Sequence, residues 1–333
     1  MSRIIMKAIN AAVLIAASYA APPPSALNIP TMQIGKDSKG NAVLMPLAGA
    51  GTWLYNDTAA EAEVLMALKL GARLIDTANI YENQVGIGRA IKKAGVPLSD
   101  LFITTKVPGG LTTDATIAAH EQNLQQLGVD SVDLLLTHFP CGFPTPPATT
   151  PVNCSKQHRQ ATWKGLEAMY YAGKARSIGV SHYCQKHMED VLEIATVKPS
   201  VNQQEWHVGM GTDPVGVVSF CKQHGISYQS FSPLCGPCSK SGRDELLFGP
   251  LVTSIGKAHN VSGAQVSLKW LVQQGSPVIP KSSVEQHLRE DLDLFSFTLS
   301  DAEMAQLSAL TTPPSAEPVS GDCKLPTDNM ISI

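Results

Sequence analysis

Four residues whose side chains could together move a proton follow three consecutive predicted strands. Asp76 lies at the end of the second strand and Tyr81 just past it, Lys106 lies at the end of the third, and His138 at the end of the fourth. A phenol has a pKa of about 10, so it donates a proton poorly at neutral pH unless a nearby ammonium stabilises the phenolate. A carboxylate can hold that ammonium, and an imidazole can orient a carbonyl. The set predicts a general acid for carbonyl reduction that needs no metal.

Each of these residues has a plainer interpretation when it is considered alone. An aspartate after a strand is commonly a cap, a tyrosine packs, a lysine lies at the surface, and a histidine can be a satisfied core residue. The functional interpretation depends on all four meeting. The C-terminal ends of parallel strands converge on one face of a barrel, so successive strand ends could bring them together.

The elements that must position these residues are eight short β-branched runs, each followed by a helix-like segment. The runs span residues 47–53, 72–78, 101–107, 131–139, 175–181, 200–206, 226–232 and 276–282. Eight βα units predict an α/β protein with a closed (β/α)8 TIM barrel, an N-terminal cap segment and long βα loops. A doubly wound open sheet is the alternative, although the G-x-G-x-x-G fingerprint that would favour it is absent.

Two βα loops are too long to be simple connections: residues 140–160 and residues 233–250. The second contains Cys235-Gly236-Pro237-Cys238, the spacing of a thioredoxin-type redox site. Such a site needs a helix N-terminus at its first cysteine, and the following SKSG is interpreted as a poor helix start. The motif is therefore predicted to be structural, with the two cysteines paired to each other or one of them paired to Cys323.

The other cysteines and the chain ends suggest an oxidising compartment. We expect Cys141 and Cys154 to close the 140–160 loop as a disulfide, and Cys221 to remain a free thiol in the core. Residues 1–20 resemble a secretory signal peptide, since Arg3 and Lys7 precede a short run of apolar and small residues. A membrane anchor would need about 20 apolar residues. Three glycosylation sequons agree with this route and begin at Asn56, Asn153 and Asn260.

The predicted organisation is a signal peptide (1–20), a Pro-rich linker with the cap segment (21–43), the barrel (44–311) and a C-terminal tail or lid (312–333). The mature chain is expected in the ER lumen or outside the cell, or delivered onward to another organelle. Its 333 residues carry a formal net charge of −3 and no run of Lys and Arg. Nucleic acid and membranes are therefore poor candidate partners. We expect a monomer that acts on a small carbonyl substrate.

Ordered motifs in the chain resemble those of the aldo-keto reductase superfamily. They are DTANIYENQVGIGRAI (76–91), GAGTW (49–53), ITTKV (103–107), VDLLLTHFP (132–140), GKARSIGVSHY (173–183), VNQQEWH (201–207), FSPL (231–234) and VIPKS (278–282). The resemblance spans about residues 44 to 311. It implies a (β/α)8 barrel that reduces an aldehyde or ketone to an alcohol with NADPH, or with NADH as the alternative cofactor.

Carried over by motif, Tyr81 is the general acid, Lys106 and Asp76 tune it, and His138 orients the carbonyl. Trp53 and Trp206 join Tyr81 and His138 around the substrate. Within the cofactor set, Ser181 and Gln203 hold the carboxamide, Phe231 stacks on the nicotinamide, and Lys281 and Ser282 meet the 2′-phosphate. The whole implied set is Gly51, Thr52, Trp53, Asp76, Ser181, His182, Gln203, Phe231, Ser232, Leu234, Lys281, Ser282, His287, Glu290 and Asp291.

The chain departs from the family pattern at three of these positions. His182 and Asp291 each replace a usual asparagine, and His287 replaces the arginine that grips the 2′-phosphate; Arg289 could take that role only in another register. An imidazole is a weaker phosphate partner than a guanidinium, so the preference for NADPH rests on Lys281. A barrel that binds nucleotide as a non-enzymatic sensor or interaction subunit is the alternative function, and the complete set of four residues argues against it.

Overall fold

The computed structural model of the protein describes residues 27–142 and 153–315. The predicted signal peptide, most of the Pro-rich linker, part of the 140–160 loop and the tail beyond residue 315 lie outside the described residues. Within those that are described, no helix is long and apolar enough to cross a membrane.

In the described parts of the chain, nine strands form a hairpin and a barrel. The strands are β1 Thr31–Lys36, β2 Ala42–Pro46, β3 Ala50–Gly51, β4 Leu74–Asp76, β5 Phe102–Val107, β6 Val132–Thr137, β7 Ala175–Ser181, β8 Val201–Glu205 and β9 Ser227–Phe231. Within the described residues β1 and β2 pair antiparallel, whereas β3 to β9 form one parallel sheet in the order of the chain. A doubly wound sheet reverses its strand order part-way across, so this alternative is excluded.

The eighth predicted run closes the barrel without forming a regular strand. Val278 makes parallel bridges to Ala48 on one side and to Ser230 on the other. Its amide donates to the Leu47 carbonyl at 3.0 Å. Pro277 and Pro280 have no N–H to donate, although their carbonyls accept from Ser230 N and Gly51 N at 2.9 Å each, so the ladder here lacks two donors. The (β/α)8 prediction is confirmed, with its last strand reduced to a bridge.

The β1–β2 hairpin closes the N-terminal end of the barrel. Its buried Ile34, Val43 and Met45 belong to one apolar cluster with Leu74 and Phe102, the first residues of β4 and β5. A second, larger apolar cluster contains buried side chains of both strands and helices. The hairpin therefore covers the end of the barrel opposite the four candidate catalytic residues.

Helices alternate with the barrel strands and pack around them. They are α1 Asp57–Leu70, α2 Gln84–Ala94, α3 Thr113–Leu127, α4 Lys156–Tyr171, α5 Gln185–Leu192, α6 Val217–His224, α7 Lys240–Phe248, α8 Pro250–His259, α9 Gly263–Gln273, α10 Glu285–Leu292 and α11 Asp301–Ser308. Side-chain N-caps start several of them; Asn56 accepts from Ala59 N in α1, and Ser262 forms a capping box with Gln265 in α9.

The predicted loop 233–250 contains a helix, which corrects the interpretation of SKSG as a poor helix start. Ser239 accepts a hydrogen bond from Gly242 N at 3.3 Å and so caps α7. A serine is among the best N-cap residues, and the segment RDELLF that follows continues the helix despite Gly242. Cys238 therefore lies immediately before the N-cap of a helix.

Two cysteine pairs whose members both lie in the described part of the chain are at disulfide distance. Cys141 and Cys154 have Cα atoms 4.4 Å apart, which confirms the predicted closure of the 140–160 loop. Cys235 and Cys238 pair with each other, with Cα atoms 5.2 Å apart. Cys221 is the free cysteine among the described residues and is fully buried, as expected; burial raises the pKa of its thiol to about 12.

Candidate active site

Lys106 lies at the centre of the predicted catalytic residues Asp76, Tyr81, Lys106 and His138, which are called the relay below. Its ammonium donates to Asp76 Oδ1 at 2.5 Å, to the Thr77 carbonyl at 3.0 Å and to Tyr81 Oη at 3.4 Å. Asp76 pairs with Thr104 in the β4–β5 register, two residues before Lys106, so both side chains reach the same end of the sheet. The structure brings these three predicted residues together.

The charges of this cluster are buried, whereas its phenol is partly exposed. Lys106 is 1% exposed and Asp76 is 2% exposed. Tyr81 ends a short 3₁₀ turn, Asn79–Tyr81, which puts its ring beyond the strand end. Burial lowers the pKa of Lys106, and the charge of Asp76 opposes that shift. The carboxylate therefore keeps an ammonium beside the one relay group that solvent and a ligand can reach.

His138 lies next to the phenol as a buried, neutral imidazole. Its ring meets Tyr81 edge-on, with ring centroids 5.4 Å apart. Burial, and then the charges of Lys106 and His182, hold the pKa of His138 well below its usual value. Nδ1 of His138 has no hydrogen-bond partner within the described residues. A neutral imidazole has one donor and one acceptor nitrogen, so this side chain can orient a carbonyl oxygen without carrying charge.

Gln203 and Ser181 occupy adjacent strand ends beside this cluster. They are register partners in β7 and β8. The amide nitrogen of Gln203 donates to Asp76 Oδ2 at 2.7 Å and to Gln229 Oε1 at 2.9 Å, so both of its N–H groups are committed inside the barrel. Ser181 Oγ donates to the Gln203 carbonyl at 2.9 Å. Within the predicted carboxamide pair, Gln203 is thus bonded directly to Asp76, and Ser181 is bonded to Gln203.

His182 is part of a run of stacked rings at the barrel mouth. Its ring centroid lies 4.3 Å from that of Phe139 and 4.8 Å from that of Phe231. Its backbone has φ of 60°, in the left-handed region where asparagine is favoured among residues with a side chain. Its Nδ1 lies 3.0 Å from the His138 carbonyl. The imidazole therefore lies between the strand end that carries His138 and the ring of Phe231, the predicted nicotinamide platform.

The loops after β3 and β9 carry the remaining residues predicted near the mouth. Thr52 Oγ1 donates to the Asp76 carbonyl at 2.9 Å, while Gly51 and Trp53 beside it are partly exposed. Ser232 and Leu234 are partly buried. Trp206 is only 1% exposed and packs edge-on against Tyr228 and Trp270. Trp206 is thus buried in aromatic packing, and its contact with the substrate stays a prediction.

The residues predicted to hold the adenosine phosphate lie on a separate, more exposed surface. Lys281 Nζ donates to the Trp53 carbonyl at 2.8 Å and lies 4.4 Å from the Tyr55 ring centroid. Ser282 Oγ accepts from Val284 N at 3.2 Å. His287 is exposed in the first turn of α10. Arg289 pairs with Glu285, with Nη2 and Oε1 3.6 Å apart.

The two acidic positions of α10 differ in burial. Glu290 Oε1 accepts from Gln286 at 2.7 Å near the surface. Asp291 is 4% exposed, and burial together with the Glu290 charge raises its pKa to about 7. Asp291 is therefore much less accessible than Glu290, and its contact with the cofactor stays a prediction.

A profile of the Aldo/keto reductase family matches residues 45–312. The chain belongs to the aldo-keto reductase family. It is 38% identical over 274 residues to a glyoxal reductase of Bacillus subtilis, a match that covers 81% of this chain and 90% of that protein. It is 33% identical over 279 residues to a morphine 6-dehydrogenase of Pseudomonas putida, covering 82% and 90% of the two chains.

Solved structures of aldo-keto reductases share the fold. A Brucella melitensis aldo-keto reductase superposes with a TM-score of 0.72 at 33% identity, covering 84% of this chain and 99% of that one. An aldo-keto reductase of Bombyx mori, solved in complex with NADP, gives 0.76 at 27% identity and covers 91% and 99%. The protein is therefore an oxidoreductase of a family that acts on small carbonyl compounds.

One positioning residue of this aldo-keto reductase was missed by the sequence analysis. Asn83 is fully buried, and its Nδ2 donates to the carbonyls of Thr52 at 2.8 Å and Tyr55 at 2.9 Å. Its Oδ1 accepts from Thr77 Oγ1 at 3.1 Å. Asn83 thereby holds the loop after β3 against the loop that carries Asp76 and Tyr81. The signal was present, because Asn83 is part of the DTANIYEN motif.

Proposed function

We propose that this aldo-keto reductase reduces an aldehyde or ketone to an alcohol with a hydride from NADPH, and that Tyr81 donates the proton. The observation that carries the proposal is the buried chain of contacts from Asp76 through Lys106 to the partly exposed Tyr81 hydroxyl. The names of its relatives, glyoxal reductase and morphine 6-dehydrogenase, agree with carbonyl and alcohol chemistry.

The relay provides a reason for Tyr81, rather than another group, to act as the acid. When the phenol gives up its proton, the product is a phenolate that lies within reach of the Lys106 ammonium, and the ammonium favours the charged form. Asp76 keeps the ammonium in place and balances its charge in the dry interior. His138 is neutral, so it orients the carbonyl and leaves the proton transfer to Tyr81.

The predicted cofactor residues fit a dinucleotide that runs from the mouth to α10. Bound NADPH supplies the hydride. Ser181 and Gln203 would hold the carboxamide, and the partly exposed Phe231 would offer a ring face to the nicotinamide. Lys281 and Ser282, with His287 and Glu290 on α10, are the side chains available to the adenosine end. The presence of NADP in the Bombyx mori relative supports this choice of cofactor.

The decisive experiment replaces Tyr81 with phenylalanine. We expect kcat/KM for a small aldehyde such as glyoxal to fall at least 10²-fold, the lower end of what a general acid contributes, while NADPH still binds. Tyr170→Phe is the matched control, since the Tyr170 hydroxyl donates to the Lys36 carbonyl near the β1–β2 hairpin. Parent activity in a folded Tyr81→Phe protein would refute the assignment. Tight NADPH binding by a parent chain with no carbonyl reductase activity would favour the nucleotide-binding alternative.

We also propose that the chain enters the secretory pathway, with cleavage after Ala20. The two cysteine pairs at disulfide distance are typical of oxidising compartments. NADPH is scarce outside cells, so the ER lumen, or an organelle reached through it, is the compartment that fits a reductase. Sequencing the N-terminus of the protein isolated from its source should give Ala21 as the first residue. A mature chain that retains Met1 or Ser2 would contradict the proposal.

A further inference from the structure

A cluster of metal-ligand types lies outside the catalytic relay, between the loops that follow β8 and β9. His207 comes two residues after the end of β8, and Cys235 and Cys238 follow β9. One imidazole nitrogen and the two sulfur atoms all lie within 4.8 Å of one another. His207 and Cys235 are fully buried, whereas Cys238 is partly exposed.

The side chain of His207 has the orientation expected of a metal ligand. Nδ1 lies 2.8 Å from the Val208 carbonyl, a contact that requires the proton on Nδ1. In the neutral ring the lone pair is then on Nε2. It is buried and has no hydrogen-bond partner within the described residues. Metal-bound histidines generally donate their other N–H in this way, to a carbonyl or a carboxylate.

Glu205 adds a fourth candidate ligand to the cluster. Its Oε1 lies 3.7 Å from His207 Nε2 and 4.0 Å from Cys235 Sγ, and its Oε2 accepts from Ser315. Two thiolates separated by two residues, an imidazole and a carboxylate are a donor set that Zn²⁺ favours. Cys238 also precedes the N-cap of the nine-residue helix α7, whose N-terminus favours a thiolate.

In the structure the two sulfurs are joined as a disulfide, which leaves no thiolate for a cation. We propose that reduction of the Cys235–Cys238 disulfide creates a Zn²⁺ site at His207, Cys235 and Cys238, with Glu205 beside it. A dithiol reductant transfers two electrons and two protons to the disulfide and is itself oxidised to a disulfide. Zn²⁺ then displaces the two thiol protons, so a cross-link through zinc replaces the disulfide.

The surroundings give a reductant access to this disulfide. Cys238 lines an open groove of about 490 Å³ with Pro237, Gly242 and the tail residues Thr312 and Pro313. The tail lies close to both loops, since a Cβ on Gly209 would lie 2.5 Å from the Pro313 carbonyl oxygen and Cys238 Sγ lies 3.8 Å from the Pro314 carbonyl oxygen. Cys238 is therefore the sulfur that an attacking thiolate can reach. Either cross-link would brace the loop that begins at Phe231 and Ser232.

The test is a titration of the full chain with Co²⁺ and Zn²⁺, before and after reduction by a phosphine, which becomes a phosphine oxide. In the reduced protein we expect one Co²⁺ per chain with thiolate-to-cobalt charge transfer and the absorption of a tetrahedral site, displaced by one Zn²⁺. The oxidised protein should show neither. Cys235→Ser/Cys238→Ser should abolish the signal, and His207→Gln should weaken Zn²⁺ binding at least tenfold.

Two controls separate this site from the other thiols. Cys141→Ser/Cys154→Ser removes the second reducible pair, and Cys221→Ser removes the free thiol; both variants should bind Zn²⁺ as the reduced parent does. Thermal unfolding is a second measurement for variants or redox states that fold poorly. A ligand that binds only the native protein raises the midpoint of thermal unfolding as the ligand concentration increases. The proposal is overturned if the reduced parent binds no stoichiometric metal, if Zn²⁺ fails to raise its unfolding midpoint, or if the Cys235→Ser/Cys238→Ser variant binds equally well.

Discussion

The two ends of the predicted cofactor path are built differently. At the barrel mouth, Asp76 and Lys106 are buried and joined by a short ion pair that also holds Gln203. At the adenosine end, Lys281 and His287 are exposed, and the Lys281 ammonium donates to the backbone carbonyl of Trp53. The groups at the barrel mouth are held in place by contacts with each other. The groups at the adenosine end would have to exchange contacts within the protein for contacts with a ligand.

This difference indicates which step each end controls. Electrostatic groups that are fixed before the substrate arrives cost no reorganisation during the reaction. Exposed charges on a surface helix contribute little to stability and are screened by salt, so they can be altered without unfolding the protein. We therefore expect the mouth to determine the rate of proton transfer and α10 to determine the affinity and choice of cofactor.

Asp76→Asn is the substitution expected to have the largest effect on the barrel mouth. It leaves Lys106 buried without its counter-charge, so the ammonium is disfavoured and no longer stabilises the Tyr81 phenolate. We expect kcat/KM to fall at least 10²-fold, with a loss of about 3–5 kcal/mol in the free energy of unfolding. Steady-state kinetics and denaturant unfolding measure the two effects.

Asp133→Asn is the matched control for that experiment. Asp133 is also a buried strand aspartate; it pairs with Arg176 at 2.7 Å and accepts from Ile103 N at 2.8 Å. It is the second residue of β6, at the opposite end of the barrel from His138. Its loss should lower stability but leave kcat/KM close to the parent value. Equal losses of activity in both variants would mean that Asp76 acts only through the fold.

The same contrast explains what could be predicted from the sequence. Asp76, Lys106 and His138 were predictable because each is tied to a strand end, and parallel strand ends converge. The burial of Asp291 could not be predicted, because alignment to a motif does not show which face of α10 packs inward. The packing of Trp206 could not be predicted for a related reason, since an aromatic residue just past a strand can turn back toward Tyr228 and Trp270.

The helix α7 and the geometry of the cysteine cluster were beyond the sequence analysis for other reasons. Whether the segment after Ser239 forms a loop or a helix depends on the N-cap that Ser239 provides, and Gly242 makes the helical pattern hard to recognise. His207 could not be linked to Cys235 and Cys238, because the three residues meet only through the packing of two βα loops. Local propensities are read along the chain, whereas this cluster depends on contacts between separate segments.

His287→Arg is expected to have a smaller effect, on the binding of cofactor at the adenosine end. The position is exposed in the first turn of α10, and Arg289 already pairs with Glu285, so a new guanidinium at 287 is free to meet a phosphate in a bidentate way. We expect KM for NADPH to fall about tenfold, equivalent to about 1.4 kcal/mol, with kcat and KM for NADH unchanged. Lys281→Met is the opposing control and should raise KM for NADPH selectively. If either substitution changed both cofactors equally, the α10 surface would not recognise the 2′-phosphate, and the division of roles between the two ends would fail.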